Sequence, residues 1–160
     1  MIIIGEKING SIPSVAKAIE AKDADFIRNL AKVQSDVGAD FIDVCASVEV
    51  SRELEVLKWL IDLAQEVTDT PLAVDSPSAD MCAKAIDFCK KPGLVNSVSM
   101  EGNKIEVVFP KIANTKWECA ALLCDDTGIP RSAEKRLEVF EALMKKAKEY
   151  NIDPSRLHID

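Results

Sequence analysis

Polar side chains stand at the ends of several short apolar segments of this sequence. These positions are Glu6, Asp43, Asp75, Asn96, Cys124 with Asp125, and Asp160. In parallel α/β proteins the carboxyl ends of the strands meet at one face, which is where ligands bind. Polar groups buried together at such a face are costly unless a polar ligand satisfies them. Taken one at a time, each position is explained equally well by a turn or a helix cap, which also favour Asp and Asn.

The mixture of carboxylates and an amide favours a flat nitrogen heterocycle as the ligand. Carboxylates accept hydrogen bonds from amino and ring N–H groups, and a carboxamide both donates and accepts. A pteridine ring offers such donors and acceptors along one edge. A phosphate or a sugar acid would instead call for Arg, Lys or a helix N-terminus. We therefore expect Asp75, Asn96 and Asp160 to meet around a heterocycle of this kind.

Short β-rich runs alternate along the chain with longer segments of helical periodicity. Six strands are predicted at Ile2–Ile4, Phe41–Val44, Leu72–Val74, Leu94–Val95, Ala120–Leu123 and Leu157–Ile159. Five helices are predicted between them, and the apolar face of the first carries Phe26, Leu30, Val33 and Val37. The second, third and fifth helices are expected to begin at the capping residues Ser51, Ser78 and Ser132, because a serine hydroxyl satisfies a free backbone N–H group.

An alternation of this kind indicates a parallel α/β sheet, either open and doubly wound or closed as a (β/α)₈ barrel. The segment after the first predicted strand, residues 5–10, matches neither GxGxxG nor the P-loop pattern, so a nucleotide site is weakly supported. The 160 residues show no linker or internal repeat and are expected to form a single domain. A barrel needs eight strands and about 250 residues. If the barrel is right, the chain is an incomplete one, truncated after the sixth strand.

Composition excludes several other classes of protein. The net charge is −7, which argues against nucleic acid or an anionic membrane as a partner. No run approaches the roughly 18 apolar residues of a membrane span, and the N-terminus lacks the pattern of a signal peptide. The five cysteines include no CxxC pair and suggest no zinc or other metal site. Reduced thiols without an export signal favour a cytoplasmic location.

Six motifs, taken in order, resemble those of pterin-binding methyltransferases. Residues 3–10 resemble the opening "IGERIN" motif of that family, and residues 37–44 resemble its second strand. The remaining matches are Leu72-Ala73-Val74-Asp75-Ser76, Val95-Asn96-Ser97, Thr127-Gly128-Ile129-Pro130 and Leu157-His158-Ile159-Asp160. Each motif alone is weak, but the ordered series is specific. It is most similar to the methyltetrahydrofolate:corrinoid-protein methyltransferases, in the branch that serves glycine-betaine or methylamine-type corrinoid systems.

The resemblance implies a (β/α)₈ TIM barrel, usually a homodimer, that binds tetrahydrofolate or 5-methyltetrahydrofolate. It implies that Asp75, Asn96 and Asp160 bind the pterin and that Asp43 joins the polar network around N5 as the candidate catalytic residue. Methyl transfer would then run between folate N5 and the cobalt of a corrinoid, a cobalamin-type cofactor carried by a partner protein. The family's N5-bonding Asn follows the seventh strand and has no counterpart within residues 1–160. Further candidates for the site are Glu6, Asn9, Ser97 and His158.

Two features leave alternatives open. Cys45 stands near the rim where many relatives carry an amide, and we expect a packing role because no His is nearby in sequence to activate the thiol. His158, the only histidine, is expected to be a hydrogen-bonded interior residue rather than a proton shuttle. The alternative functions are a dihydropteroate synthase-like pterin enzyme, which would need basic residues for a pyrophosphate, and a barrel fragment that folds or assembles without turnover.

Overall fold

The computed structural model describes all 160 residues, which form one parallel sheet covered by helices on one face. The strands are β1 (Ile4–Asn9), β2 (Phe41–Cys45), β3 (Leu72–Asp75), β4 (Leu94–Met100), β5 (Glu118–Asp125) and β6 (Leu157–Ile159). Each strand pairs in parallel with the next, in the order β1-β2-β3-β4-β5-β6. The predicted alternation of strands and helices is therefore confirmed.

Six α-helices connect the strands. They are α1 (Pro13–Ala21), α2 (Ala24–Asp36), α3 (Val50–Val67), α4 (Ala79–Ala85), α5 (Lys104–Ile112) and α6 (Ala133–Glu149). Short 3₁₀ turns follow at Ile86–Phe88 and Pro154–Arg156. None of these helices combines the length and the apolar character needed to cross a membrane.

The strand order decides between the two predicted architectures. Because parallel crossovers are right-handed, a sheet whose strands follow sequence order carries all its helices on the same face. Alternate residues of β2, such as Ile42 and Val44, join a core of 34 buried residues that includes Leu57 and Leu60 of α3. Their neighbours point to the opposite side, which we call the helix-free face. A doubly wound sheet would have helices on both faces, so this arrangement is that of consecutive units of a barrel.

A small apolar cluster marks the helix-free face. Phe41, Ala73 and Leu94 are buried there, with Ile4 and Ala120 packed against them. All five belong to strands, and Ala73 pairs directly with Leu94 across β3 and β4. The cluster forms a floor below the carboxyl ends of the strands.

Two of the three predicted serine caps are confirmed, and the third is wrong. The hydroxyls of Ser78 and Ser132 accept hydrogen bonds from backbone N–H groups of α4 and α6, at 3.4 and 3.2 Å, as predicted. The prediction for Ser51 is wrong, because α3 begins at Val50 and its N-cap is Glu49. Ser51 therefore lies inside the first turn of the helix.

The first 40 residues differ most from the prediction. The strand predicted at Ile2–Ile4 instead spans Ile4–Asn9, and Ile2 and Ile3 are exposed. Helix α1 is absent from the prediction, although Pro13 occupies a position that favours a helix start. The predicted apolar face of α2 is also out of phase, since Ile27 and Ala31 are buried whereas Val37 is 79% exposed.

Candidate functional site

Four of the predicted site residues share the helix-free face, although only one of the four ends its strand. Asp75 is the last residue of β3, as predicted. Glu6, Asp43 and Asn96 were predicted at strand ends and instead lie within β1, β2 and β4, because these strands continue for two to four residues beyond them. Strand alternation places all four side chains on the face opposite the large core.

Strand register brings Asp75 and Asn96 side by side. Asp75 pairs with Asn96 across β3 and β4, and with Cys45 across β2 and β3. Adjacent strands lie about 4.8 Å apart, so these three side chains form one row across the sheet. Asp75 and Asn96 are both partly exposed, and a ligand above the sheet can reach them.

Asp43 lies one row below, directly opposite Ala73. It is 2% exposed, and its Oδ1 accepts a hydrogen bond from Asn96 Nδ2 at 2.9 Å. Burial raises the pKa of Asp43 from 3.8 to about 7, because a carboxylate loses its hydration there. The bond from Asn96 opposes this effect, and the charges of Asp75 and Glu6 add to it. A carboxyl group with this pKa is protonated on a substantial fraction of molecules near neutral pH.

The pKa of Asp75 is also raised. Burial is the main cause of this increase. A hydrogen bond with the neighbouring Cys45 thiol lowers the pKa of Asp75, and the charges of Glu6 and Glu53 raise it. Several carboxylates thus crowd one side of the sheet with no Lys or Arg in β2, β3 or β4 to neutralise them. Such a surface favours a ligand that donates hydrogen bonds rather than an anion.

Cys45 is part of a hydroxyl and amide network at the rim. Its Sγ lies 3.2 Å from Ser47 Oγ, and the Ser47 hydroxyl donates to Asn9 Oδ1 at 3.2 Å. The same Asn9 oxygen accepts from the backbone N–H of Ser11 at 2.8 Å. Burial raises the pKa of the Cys45 thiol to about 12, so the thiol keeps its proton and is a poor nucleophile.

The remaining candidates are less closely tied to this row. Asp160 is exposed after β6, where its backbone bonds to Ala121 and Leu123 of β5 at 3.1 and 2.8 Å. No hydrogen bond joins its side chain to Asp75 or Asn96, and β5 separates β6 from β4. The structure therefore brings together Asp43, Asp75 and Asn96 but leaves Asp160 apart from them.

His158, Ser97 and Glu6 occupy different surroundings. His158 pairs with Ala120 and bonds through Nε2 to Glu118 Oε2 at 2.5 Å, at the start of β5. Ser97 is half-buried directly after Asn96, and Glu6 is exposed on β1. Glu6 contributes to the site through its charge, which acts on both Asp43 and Asp75.

Two buried polar residues behind the row were not among the predicted site residues. Ser76 and Glu53 are each 4% exposed, and the Ser76 hydroxyl donates to the Glu53 carboxylate. Ser76 follows Asp75 in one of the motifs, which was the available signal for it. Glu53 lies in helix α3, and nothing in its local sequence distinguishes it from a surface glutamate.

Comparison with known proteins identifies the family. The sequence profile described as "Pterin binding enzyme" matches residues 5–160. The chain belongs to the pterin binding enzyme family. The resemblance drawn from the six motifs is therefore confirmed at the level of the family.

Two curated relatives of this chain are, by name, a methyltransferase and a methionine synthase. Over 162 residues it is 51% identical to a methylcorrinoid:tetrahydrofolate methyltransferase of Eubacterium limosum, and the match covers 100% of this chain and 60% of that protein. It is 27% identical over 167 residues to a methionine synthase of Mycobacterium leprae, covering 100% of this chain and 14% of that protein. The chain thus spans less than two thirds of the length of each relative.

Solved structures support the fold. A dihydropteroate synthase from Xanthomonas albilineans in complex with 7,8-dihydropteroate superimposes with a TM-score of 0.66 at 23% identity, covering 99% of this chain and 58% of that one. The 7,8-dihydropteroate synthase from Vibrio fischeri ES114 gives 0.66 at 14% identity, covering 99% and 60%. The predicted fold class is confirmed, since the six strands correspond to part of a (β/α)₈ TIM barrel.

Proposed function

We propose that the protein is a methyltransferase that moves a methyl group between N5 of tetrahydrofolate and the cobalt of a corrinoid carried by a separate protein. The observation that carries this proposal is the row formed by Asp75 and Asn96 above Asp43, in a chain 51% identical to a methylcorrinoid:tetrahydrofolate methyltransferase. In this proposal Asp75, Asn96 and Asp160 hold the pterin, with Glu6, Asn9, Ser97 and His158 as further candidates near it.

The chemistry expected of the residues is proton management and orientation. A tertiary amine is a poor leaving group unless its nitrogen, here N5, gains a proton or a strong hydrogen bond. The corrinoid supplies the reactive cobalt. With a pKa of about 7, Asp43 holds a proton on a large fraction of molecules at neutral pH. Asn96 donates a hydrogen bond to Asp43, so the amide proposed to orient the pterin is coupled to the protonation state of Asp43. Positioning and electrostatics are thus the protein's contribution.

Calorimetric titration of the full-length protein with 5-methyltetrahydrofolate tests the proposal. D75A and N96A are expected to weaken binding by about tenfold or more, because each removes hydrogen bonds to a polar ligand. Matched controls are D69A and N114A, which remove the same side chains from exposed positions before β3 and β5. Absence of binding, or equal affinities for the site and control variants, would contradict the proposal.

Methyl transfer itself can be followed separately. With methylcobalamin as the methyl donor and tetrahydrofolate as the acceptor, the visible absorbance of the corrinoid reports the reaction. We expect turnover to fall in D43N while the affinity for tetrahydrofolate changes less, since Asp43 lies below the binding row. A D43N protein with unaltered turnover would remove the assigned role of Asp43.

The dihydropteroate synthase alternative is weaker on a specific observation. That reaction uses a pterin pyrophosphate, which calls for basic side chains near the strand ends. Strands β2, β3 and β4 contain no Lys or Arg. Incubation with a pterin pyrophosphate and 4-aminobenzoate distinguishes the two, and formation of a condensed product would favour this alternative.

We also propose that the protein works in the cytoplasm as a homodimer and docks a corrinoid protein. Five free cysteines fit a reducing compartment, and the family resemblance supports the other two properties. Light scattering of the full-length protein tests the dimer, and a monomer at high concentration would contradict it. Co-elution with a corrinoid protein tests the docking.

A further inference from the structure

Ser76 joins the ends of β3 and β4, which carry Asp75 and Asn96, to the helices behind the sheet. Its hydroxyl donates to Glu53 and accepts from the backbone N–H of Ser78 at 3.0 Å. Its own backbone N–H donates to the carbonyl of Asn96 at 3.2 Å. One residue therefore links the ends of β3 and β4 to the start of α4, immediately after Asp75.

Glu53 supplies the acceptor that holds this junction. It lies in the first turn of α3 and is 4% exposed, so its carboxylate is largely removed from water. A buried carboxylate is costly unless it is hydrogen-bonded, and Ser76 provides that bond. The N-terminal turn of a helix also favours a negative charge. The arrangement holds a carboxyl group behind the row without exposing it on the helix-free face.

We propose that Glu53 is a positioning residue for the pterin site: through Ser76 it fixes the ends of β3 and β4, and its negative charge acts on the neighbouring Asp75. The inference rests on the proposed function in that the ligand so positioned is a pterin. Glu53 is buried and acts through Ser76 rather than by touching the ligand.

The electrostatic part has a definite sign. The titratable groups that face Asp75 are Glu6 of β1, Asp43 and Cys45 of β2, Glu53 of α3 and Cys82 of α4. Negative charge on Glu53 disfavours a second negative charge on Asp75 and raises its pKa. Removing that charge lowers the pKa of Asp75, so the carboxylate that accepts hydrogen bonds from the pterin persists to lower pH.

The Glu53→Gln and Ser76→Ala variants separate the two effects. E53Q keeps an oxygen that accepts the hydrogen bond from Ser76 but has no ionisable group, whereas S76A loses the bond and keeps the carboxyl group of Glu53. E55Q is the matched control, because Glu55 lies on the same helix and is exposed, where it pairs with Lys22 at 3.5 Å. Circular dichroism of each full-length variant checks that it is folded.

The first measurement needs no ligand. Carboxyl ¹³C NMR titration, with D75N identifying the resonance, reports the pKa of Asp75 in each protein. We expect a lower value in E53Q than in wild type and an unchanged value in E55Q. Equal values in E53Q and wild type would overturn the electrostatic part, whether or not the protein binds folates.

The second measurement uses 5-methyltetrahydrofolate as the probe. The acid limb of its binding curve is expected to move to lower pH in E53Q and not in E55Q, and S76A is expected to bind about tenfold more weakly at neutral pH. Wild-type affinity in S76A would overturn the positioning part. If wild type itself does not bind this probe, the proposed function fails, while the NMR titration still decides the coupling between Glu53 and Asp75.

Discussion

Replacing Asp43 with Asn should change how the stability of the protein depends on pH. The pKa of Asp43 rises from 3.8 to about 7 because the carboxylate is buried. Each pKa unit corresponds to about 1.4 kcal/mol, so ionising Asp43 in the folded protein costs about 4 kcal/mol. Between about pH 4 and pH 7 the unfolded chain binds fewer protons than the folded one, and the free energy of unfolding falls as pH rises through this window. D43N has no such group and keeps the acceptor for Asn96.

Urea denaturation at pH 4.5, 6, 7 and 8 measures this effect. The free energy of unfolding of wild type minus that of D43N should fall by about 3 kcal/mol from pH 4.5 to pH 8, with the steepest change between about pH 5 and pH 6. D69N is the control, since Asp69 is exposed and its variant should show no such trend. A difference between wild type and D43N that stays flat across this range would refute the burial argument and the near-neutral proton on Asp43.

Cys45 has a pKa of about 12, so it should react with iodoacetamide at pH 8 at least about a hundredfold more slowly than a free thiol. Mass spectrometry measures the rate of alkylation, and fast alkylation would contradict the burial of this thiol. L60A should lower the free energy of unfolding by about 2–5 kcal/mol, whereas L137A, at a site 60% exposed, should change it by less than about 0.5 kcal/mol; similar losses would show that the core is misplaced. G93A should lower the free energy of unfolding by about 1–3 kcal/mol, because its Cβ would lie 2.0 Å from the Leu72 carbonyl oxygen. G102A is the control for backbone strain alone, since its Cβ would have open space but the residue has a φ of 54°.

The end of β3 and the starts of α4 and α6 were the most predictable parts of the fold. Asp75 ends a strand whose apolar residues are unbroken, and the caps of α4 and α6 follow directly from Ser78 and Ser132. Local sequence was enough there because the strand is short and the caps bond only to their own helices.

The sequence was less informative where pairing between distant segments decides the structure. Strands β1 and β4 extend through polar residues such as Glu6 and Asn96, since their neighbours in the sheet supply hydrogen bonds that no local pattern reveals. Helix α1 is short, and only three of its residues, Val15, Ala18 and Ile19, are buried. The link from Ser76 to Glu53 joins residues 23 positions apart, so only the packing of α3 against the sheet shows it.

The row of Cys45, Asp75 and Asn96 takes its lateral spacing from the hydrogen-bonded ladder of the backbone rather than from side-chain packing. Its three members therefore sit at intervals that no substitution in the hydrophobic interior alters while the sheet stays paired. Substitutions in the interior could therefore change the stability of the protein without changing the width of ligand that this row can contact. Exchanging one member of the row, by contrast, would change the groups presented to the proposed ligand at a spacing set by the backbone.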